Sequence, residues 1–252
     1  YQQVKGFEGF GIPKSKISIL GGAFGYKFFK DKLAVKAVYL AGKDDPNQGL
    51  NIGFSPSYQS RKGNAVSLTE EAKLFQDKLN LKAEIGRTSY DGDLSDDQKA
   101  ISDTAFNIGG NFSHGVISVG TIYRYVGKDF NSVGYQSFTN DRKGYETNIG
   151  LVYKRFNLSA SYTAEQDNVK NDPAGFTTDN KNGIINLSFG LSDKVTLELG
   201  YNRDKQNTFQ GEIATSLQDS LTNEYRSGLN FILSPSASFS LSLTNSVLSS
   251  VN

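Results

Sequence analysis

Few residues here could do covalent or metal chemistry. One histidine, His114, supplies the only imidazole in 252 residues, and cysteine is absent. A Ser-His-Asp or Cys-His arrangement could be built only around His114, and disulfides and thiolate metal sites are excluded. His114 stands with Gly115 in a two-residue turn between alternating runs. That is a poor place to assemble a nucleophile and its base, so lipase, acyltransferase or His-dependent protease chemistry is not expected, and the chain reads as a non-enzyme. The run Asp91-Gly92-Asp93-Leu94-Ser95-Asp96-Asp97 offers carboxylates that could hold Ca²⁺. Its spacing does not match an EF-hand, and a solvated acidic loop accounts for it, so no metal and no cofactor are expected. The Gly-Gly pairs at Gly21 and Gly109 read as strand glycines against crowded neighbours rather than a phosphate loop.

The other charged residues are patterned rather than clustered. Lys36, Lys82, Glu84, Arg124, Glu146, Lys154, Glu165, Glu198 and Arg226 fall on the polar side of segments that alternate polar and apolar. Enclosed in a lumen, they would keep it wet and set its selectivity. Equally, they could pair across strands and fill a narrow barrel interior. Tyr26, Tyr123, Tyr125, Tyr145, Tyr153, Tyr162, Tyr201 and Tyr225 fall on the apolar side. There an interfacial aromatic girdle is favoured over a carbohydrate-stacking track.

The elements that position these residues show best from Val116 to Glu165. Ile117, Val119, Thr121, Tyr123 and Tyr125 alternate with Ser118, Gly120, Ile122 and Arg124. Tyr145, Thr147, Ile149, Leu151 and Tyr153 then alternate with Glu146, Asn148, Gly150, Val152 and Lys154, and Phe156, Leu158, Ala160 and Tyr162 with Asn157, Ser159, Ser161 and Thr163. A period of two is that of a β-strand. The same pattern occurs over Leu20–Phe28, Leu33–Tyr39, Val66–Leu74, Leu79–Ile85, Phe106–Phe112, Ile185–Leu191, Val195–Tyr201, Tyr225–Leu233 and Ala237–Leu243, with Glu70 a misfit on the apolar side. Gln2 to Phe10 offers an ambiguous extra strand broken at Gly11-Ile12-Pro13, and Leu50 to Tyr58 may be read as extended.

Connections alternate in length. Short turns are expected near Asp31, Asp77, His114, Arg155, Asp193 and Pro235; pairing Ser113 with Val116 and Lys154 with Asn157 keeps one face apolar through two of them. Three share a local pattern: Phe29-Lys-Asp-Lys-Leu33, Phe75-Gln-Asp-Lys-Leu79 and Leu191-Ser-Asp-Lys-Val195. Long polar loops are expected at Gly42–Asn64, Tyr90–Thr104, Gln166–Asn182 and Arg203–Ser220. With 27 basic and 26 acidic residues interspersed there is no electrostatic case for nucleic acid. Mean hydropathy is negative, and no run approaches the roughly 18 apolar residues of a membrane helix, although a barrel strand needs only about 10 residues with half of them apolar.

Over about Ile17 to Leu243 the chain resembles the bacterial outer-membrane β-barrel proteins as a class. The resemblance rests on pattern, without a signature motif. It implies an all-β fold: a single antiparallel transmembrane β-barrel domain of about 12–14 strands, with short periplasmic turns and long extracellular loops. It also implies localisation in the bacterial outer membrane and the lipid bilayer as partner. The expected function is a pore or channel for polar solutes or polymers. The alternative is a non-catalytic barrel subunit of a larger outer-membrane export or structural assembly, with other outer-membrane or periplasmic subunits as partners. Such barrels usually have an even strand number with both ends in the periplasm. Here the first clear strand would run downward, and Ser249-Ser250-Val251-Asn252 lacks a terminal aromatic. Either the chain is part of a longer protein, or an end strand differs from this reading.

Overall fold

The computed structural model describes residues 2–5, 16–44, 60–131, 139–211 and 218–251. The strands are β1 (Gln2–Lys5), β2 (Lys16–Phe28), β3 (Leu33–Asp44), β4 (Lys62–Leu74), β5 (Leu79–Asp91), β6 (Ile101–His114) and β7 (Ile117–Val126). They continue as β8 (Arg142–Tyr153), β9 (Phe156–Asp167), β10 (Phe176–Gly190), β11 (Val195–Gln210), β12 (Gln218–Ser234) and β13 (Ala237–Val251). They form one 13-stranded sheet in sequence order, with antiparallel pairing along β1–β4 and β8–β13. Among the described residues no pairing joins β1 to β13. Of the expected extra strand near the start, Gln2–Lys5 pairs with β2; Gly6 to Phe10, Gly11–Pro13 and Leu50–Tyr58 lie outside the described residues.

Short and long connections alternate as the sequence suggests. Those after β2, β4, β6, β8, β10 and β12 have two or four residues, and those after β3, β5, β7, β9 and β11 have seven or more. The strands are longer than their alternating cores. Asn64, Thr104, Asn182 and Ser220, all expected in loops, are in strands, so the connections after β9 and β11 are only 168–175 and 211–217.

Two turns sit one step from their expected place. Gly115 and Val116, not His114 and Gly115, join β6 to β7, and Gly115 takes φ 60°, a left-handed conformation most easily met by glycine. Across the β8–β9 turn Tyr153 pairs with Phe156 and Leu151 with Leu158, two residues from the expected register. A shift of two leaves every side chain on its expected face.

The chain forms two compact units: Tyr1–Ala72 with Lys82–Asn107 and Tyr125–Asp141, and Lys73–Leu81 with Ile108–Arg124 and Arg142–Asn252. In the first, Phe24 lies beside Ala37 and Ala37 beside Leu68, while Tyr39 lies between Gly22 and Val66. Glu70 does stand on this apolar face, beside Val35. In the second, one continuous row reads Leu151, Leu158, Leu187, Leu199, Ser227, Leu243. The next row toward the short turns reads Tyr153, Phe156, Phe189, Leu197, Leu229, Leu241.

No layer covers these rows. Among the described residues the one buried apolar side chain is Val169, which lies in the connection after β9 and not on a strand. Phe24 and Leu243 are each 71% exposed and Val66 50%, whereas Ala65, Ser67 and Thr69 on the other side of β4 are half-buried. The apolar face of β4 is the more open one, opposite to the arrangement that burial of apolar area favours in water.

The three turns of similar sequence are not alike. Phe29, Lys30 and Asp31 have φ of 51°, 56° and 65°, and Phe75, Gln76 and Asp77 repeat this with 52°, 59° and 65°. In the third, Leu191 and Ser192 both donate their N–H to the Val195 carbonyl, and no residue has positive φ. A left-handed L-residue costs roughly 1–2 kcal/mol, more when β-branched. Lys30→Thr and Gln76→Thr should therefore each destabilise by about 1 kcal/mol, and Ser192→Thr, which keeps the hydroxyl that accepts from the Lys194 N–H, by less than half of that, read as urea midpoints at constant slope. Equal losses at all three positions would show that the turns share one conformation.

Candidate functional site

Side chains opposite the apolar rows are mostly serine, asparagine, threonine and glycine, small types that fit where neighbours crowd. In the second unit Asn148 lies beside Ser161, Gly150 beside Ser159, Asn186 between Ser159 and Gly200, and Ser188 between Asn157 and Glu198. Crowding is direct: a Cβ on Gly120 would come within 2.4 Å of Asn111 Oδ1. Two clefts open on this face, one of about 700 Å³ bordered by Asn157, Ser188, Glu198, Glu224 and Arg226, the other of about 420 Å³ bordered by Asn111, Ser118, Asn148 and Ser159.

Eight of the nine charged residues singled out in the sequence stand on strands with the parity of this polar face. In the first unit Lys36 lies between Gly25 and Thr69, Lys82 meets Glu71 at 3.3 Å, and Glu84 accepts a hydrogen bond from Asn107 at 3.5 Å. In the second, Arg124 lies 3.8 Å from Glu146, which also accepts from Asn148 at 2.9 Å. Glu165 lies 3.7 Å from Arg142, and Arg226 pairs with Glu224 next to Glu198. The ninth, Lys154, occupies the β8–β9 turn with φ 52°, and its ammonium lies 5.2 Å from the centre of the Tyr153 ring, a cation–π contact rather than a place on the polar face.

Several participants escaped the sequence reading. Glu224 and Arg142 complete ion pairs with Arg226 and Glu165 but flank the alternating cores. Asp44, 3% exposed, accepts from Arg61 Nε at 2.8 Å at the loop end of β3, in a stretch expected to be loop. Phe130, in the connection after β7, places its ring 3.5 Å from where a Cβ on Gly86 would lie. Gly86 shares the parity of Lys82 and Glu84, so an aromatic ring rests on the polar face of the first unit. Asp103 holds this connection by accepting from the Asp129 N–H at 2.9 Å. No sequence period could reveal that contact.

The tyrosines stand at both ends of the apolar rows. Tyr26 packs edge-on against Phe28 at 4.6 Å near a short turn, and Tyr153 borders another. At the long-connection end Tyr125 stacks on Phe106 at 5.3 Å, Tyr145 approaches Tyr162 at 5.8 Å, and Tyr201 faces Tyr225 at 5.1 Å. Tyr123 is exposed one step inside Tyr125. His114 ends β6 with its ring 6.5 Å from Phe112. Asp91, Asp93 and Asp96 accept hydrogen bonds from the loop's own Asp93, Ser95 and Gln98 N–H groups. Among the described residues no three His, Cys, Asp or Glu side chains converge.

No protein-family model and no curated protein matches the chain.

The ion pairs differ in what they contribute to stability. Arg124 and Glu146 are 55% and 35% exposed, so their coupling should stay below about 1 kcal/mol. Asp44 is buried, and Arg61 donates to it from both its side-chain Nε and its backbone N–H; a hydrogen bond to a buried charge is worth roughly 1.5–3 kcal/mol. Arg61→Ala, which removes only the guanidinium, should therefore lower the urea midpoint more than Arg124→Ala. Equal shifts would mean that Asp44 is hydrated in solution.

Proposed function

We propose that the chain is an outer-membrane β-barrel protein in which the sheet closes on itself, lipid covers the apolar rows, and the polar face lines a passage for polar solutes. The observation carrying this reading is that in each unit apolar rows run from strand to strand, across β2–β4 and across β8–β13, and are left open. In water such rows would drive association, whereas in a bilayer they are the stable arrangement, provided that every backbone group finds a partner within the sheet. The spacing of the aromatics agrees. From Tyr145 to Tyr153 is eight residues, about 26 Å of strand at roughly 3.3 Å per residue, or about 20 Å of height at a tilt near 40°. The apolar band of such barrels is about 25 Å. In this setting the short turns face the periplasm and the long connections the outside.

The polar face supports passage, since it presents hydroxyls, amides and paired charges. A second reading, a barrel subunit of a larger export or structural assembly, draws support from Phe130, whose ring against Gly86 would narrow the lumen until a partner moved the connection.

Refolding into phospholipid vesicles followed by planar-bilayer recording separates these readings. A steady open conductance is expected; a silent inserted protein that conducts as Phe130→Ala would favour the second. Arg226→Glu, placing three carboxylates together with Glu198 and Glu224, should shift selectivity toward cations at least several-fold if that cleft borders the passage. Failure to enter bilayers would sink both readings.

A finer test uses adjacent residues. Fluorophores at Leu151 and Val152 should be quenched by lipid-borne and aqueous quenchers respectively. Leu151→Arg should cost about 2–4 kcal/mol of folding into lipid, and Val152→Arg less. Reversed quenching would put the polar face toward lipid.

A further inference from the structure

Beyond its tyrosines, the apolar side of the second unit turns cationic. Register sets Lys181 beside Ala164 and Lys205, and Gly183 beside Tyr162 and Arg203. One step toward the short turns, Ile185 lies between Ala160 and Tyr201, and Ala160 beside Ile149. Gly183 and Ala160 lack the bulk to fill the space between their neighbours. The outcome is a cleft of about 490 Å³ whose floor is Ile149, Ala160 and Ile185 and whose rim carries Lys181, Arg203 and Lys205. Tyr162 and Tyr201 wall it. That volume lies within the roughly 300–1,000 Å³ typical of ligand clefts.

Part of the rim charge is offset, since Asp179 stands two residues before Lys181 with the same face parity. Lys205 shares Asp219 at 3.8 Å, but among the described residues neither Lys181 nor Arg203 meets a carboxylate within ion-pair distance. All three cations stand on paired strands, so only side-chain and no backbone freedom is lost when they converge on a ligand. From Lys181 to Ile185 is four residues, about 13 Å along the strand. An occupant must therefore be an anion at one end and apolar over the next 10 Å or so. Arginine and lysine at such a rim favour phosphate, which accepts several charge-assisted hydrogen bonds at once. A free phosphate ion would leave the floor unfilled, and a zwitterionic headgroup would set its own cation against the rim.

We propose that this cleft binds a lipid bearing phosphate monoester groups, its phosphate held by Lys181, Arg203 and Lys205 and an acyl chain laid over Ile149, Ala160 and Ile185. This site rests on the membrane reading above, because it needs the apolar rows to lie in a bilayer. It also supplies a reason for three cations on the lipid-facing parity of β10 and β11, where long side chains otherwise only snorkel to the interface.

The test uses the whole chain in phosphatidylcholine nanodiscs doped with lipid A, with native mass spectrometry reading bound lipid. Lipid A should bind at least tenfold more tightly than the same lipid with its phosphates removed. The combined variant Lys181→Gln, Arg203→Gln, Lys205→Gln should lose at least tenfold. A control of equal charge change at the short turns, Lys30→Gln, Lys78→Gln, Lys194→Gln, should bind as the wild type does. Ala160→Phe fills the floor without altering charge and should weaken lipid A on its own, which keeps the test decisive if the triple variant folds poorly. Equal binding of the dephosphorylated lipid, or unchanged binding in both cleft variants, overturns the proposal. So does displacement of lipid A by inorganic phosphate at equal concentration, which would mark a simple anion site. A wild-type protein that never enters nanodiscs overturns the membrane reading and this site together; one that enters but binds all lipids alike overturns the site only.

Discussion

Side chains alternate across a strand, so slipping any pairing by one residue would exchange the two faces of everything beyond it. The apolar rows of β2–β4 and of β8–β13 persist because the connections within them respect that parity. Most do so simply: Phe28 pairs with Leu33, and Tyr153 with Phe156. The last hairpin does not. Ser234 pairs with Ala237, and continuing that register would set Phe239 opposite Ile232, on the polar side. The irregularity between Ile232 and Ser234 restores the match, so that Phe231 meets Phe239 and Leu229 meets Leu241. A bulge of one residue is the device that can correct parity by one, and here it keeps β13 on the same scheme as its neighbours.

Parity explains why the two faces have different compositions. On the apolar side each pair is tolerant, since leucine, phenylalanine or tyrosine can stand beside one another without a specific geometry. On the polar side the neighbours compete for space, and glycine, serine and asparagine recur where bulkier residues would collide, as Gly120 against Asn111 and Gly150 against Ser118 show. The charges there are spaced by these small residues and meet in exposed pairs, which contribute little to stability. They shape a potential more than they hold the sheet together. Glu70 beside Val35 departs from the scheme, and nothing in the structure explains it.

The sheet was legible wherever one face is apolar, because only there does the sequence carry a period. Strand identity, the face of each residue and the alternation of short and long connections follow from that signal alone. Strand ends did not, since beyond Tyr162 or Tyr201 both faces are polar and a paired strand looks like a loop. The turn after β6 was misplaced by one residue for a related reason: His114-Gly115 and Gly115-Val116 both leave Phe112 and Ile117 on the same face. Among the site residues, Lys154 was assigned by parity alone although it occupies a turn with positive φ, where parity has no meaning. Arg61 with Asp44, and Phe130 with Gly86, join residues at least seventeen apart through connections that carry no periodicity. Such contacts become visible only when the chain is folded.

The polar strand ends have a consequence of their own. Pairing continues from Asn182 to Phe176 against Asp204 to Gln210, and from Arg203 to Thr208 against Asn223 to Gln218, well past the last aliphatic row. Every such pair satisfies backbone donors and acceptors that would otherwise need water, so the polar ends belong to the hydrogen-bonded sheet. Lys181, Arg203 and Lys205 therefore project from a fixed lattice instead of from mobile loops. Side chains on such a lattice lose mainly their own rotamer freedom when they converge on a ligand, since the backbone is already ordered. In the same way Asp103, on β6, can anchor the connection that carries Phe130. The extension of the sheet beyond its apolar rows is what gives both ends of this chain's chemistry, the cationic rim and the aromatic ring over Gly86, a rigid base from which to act.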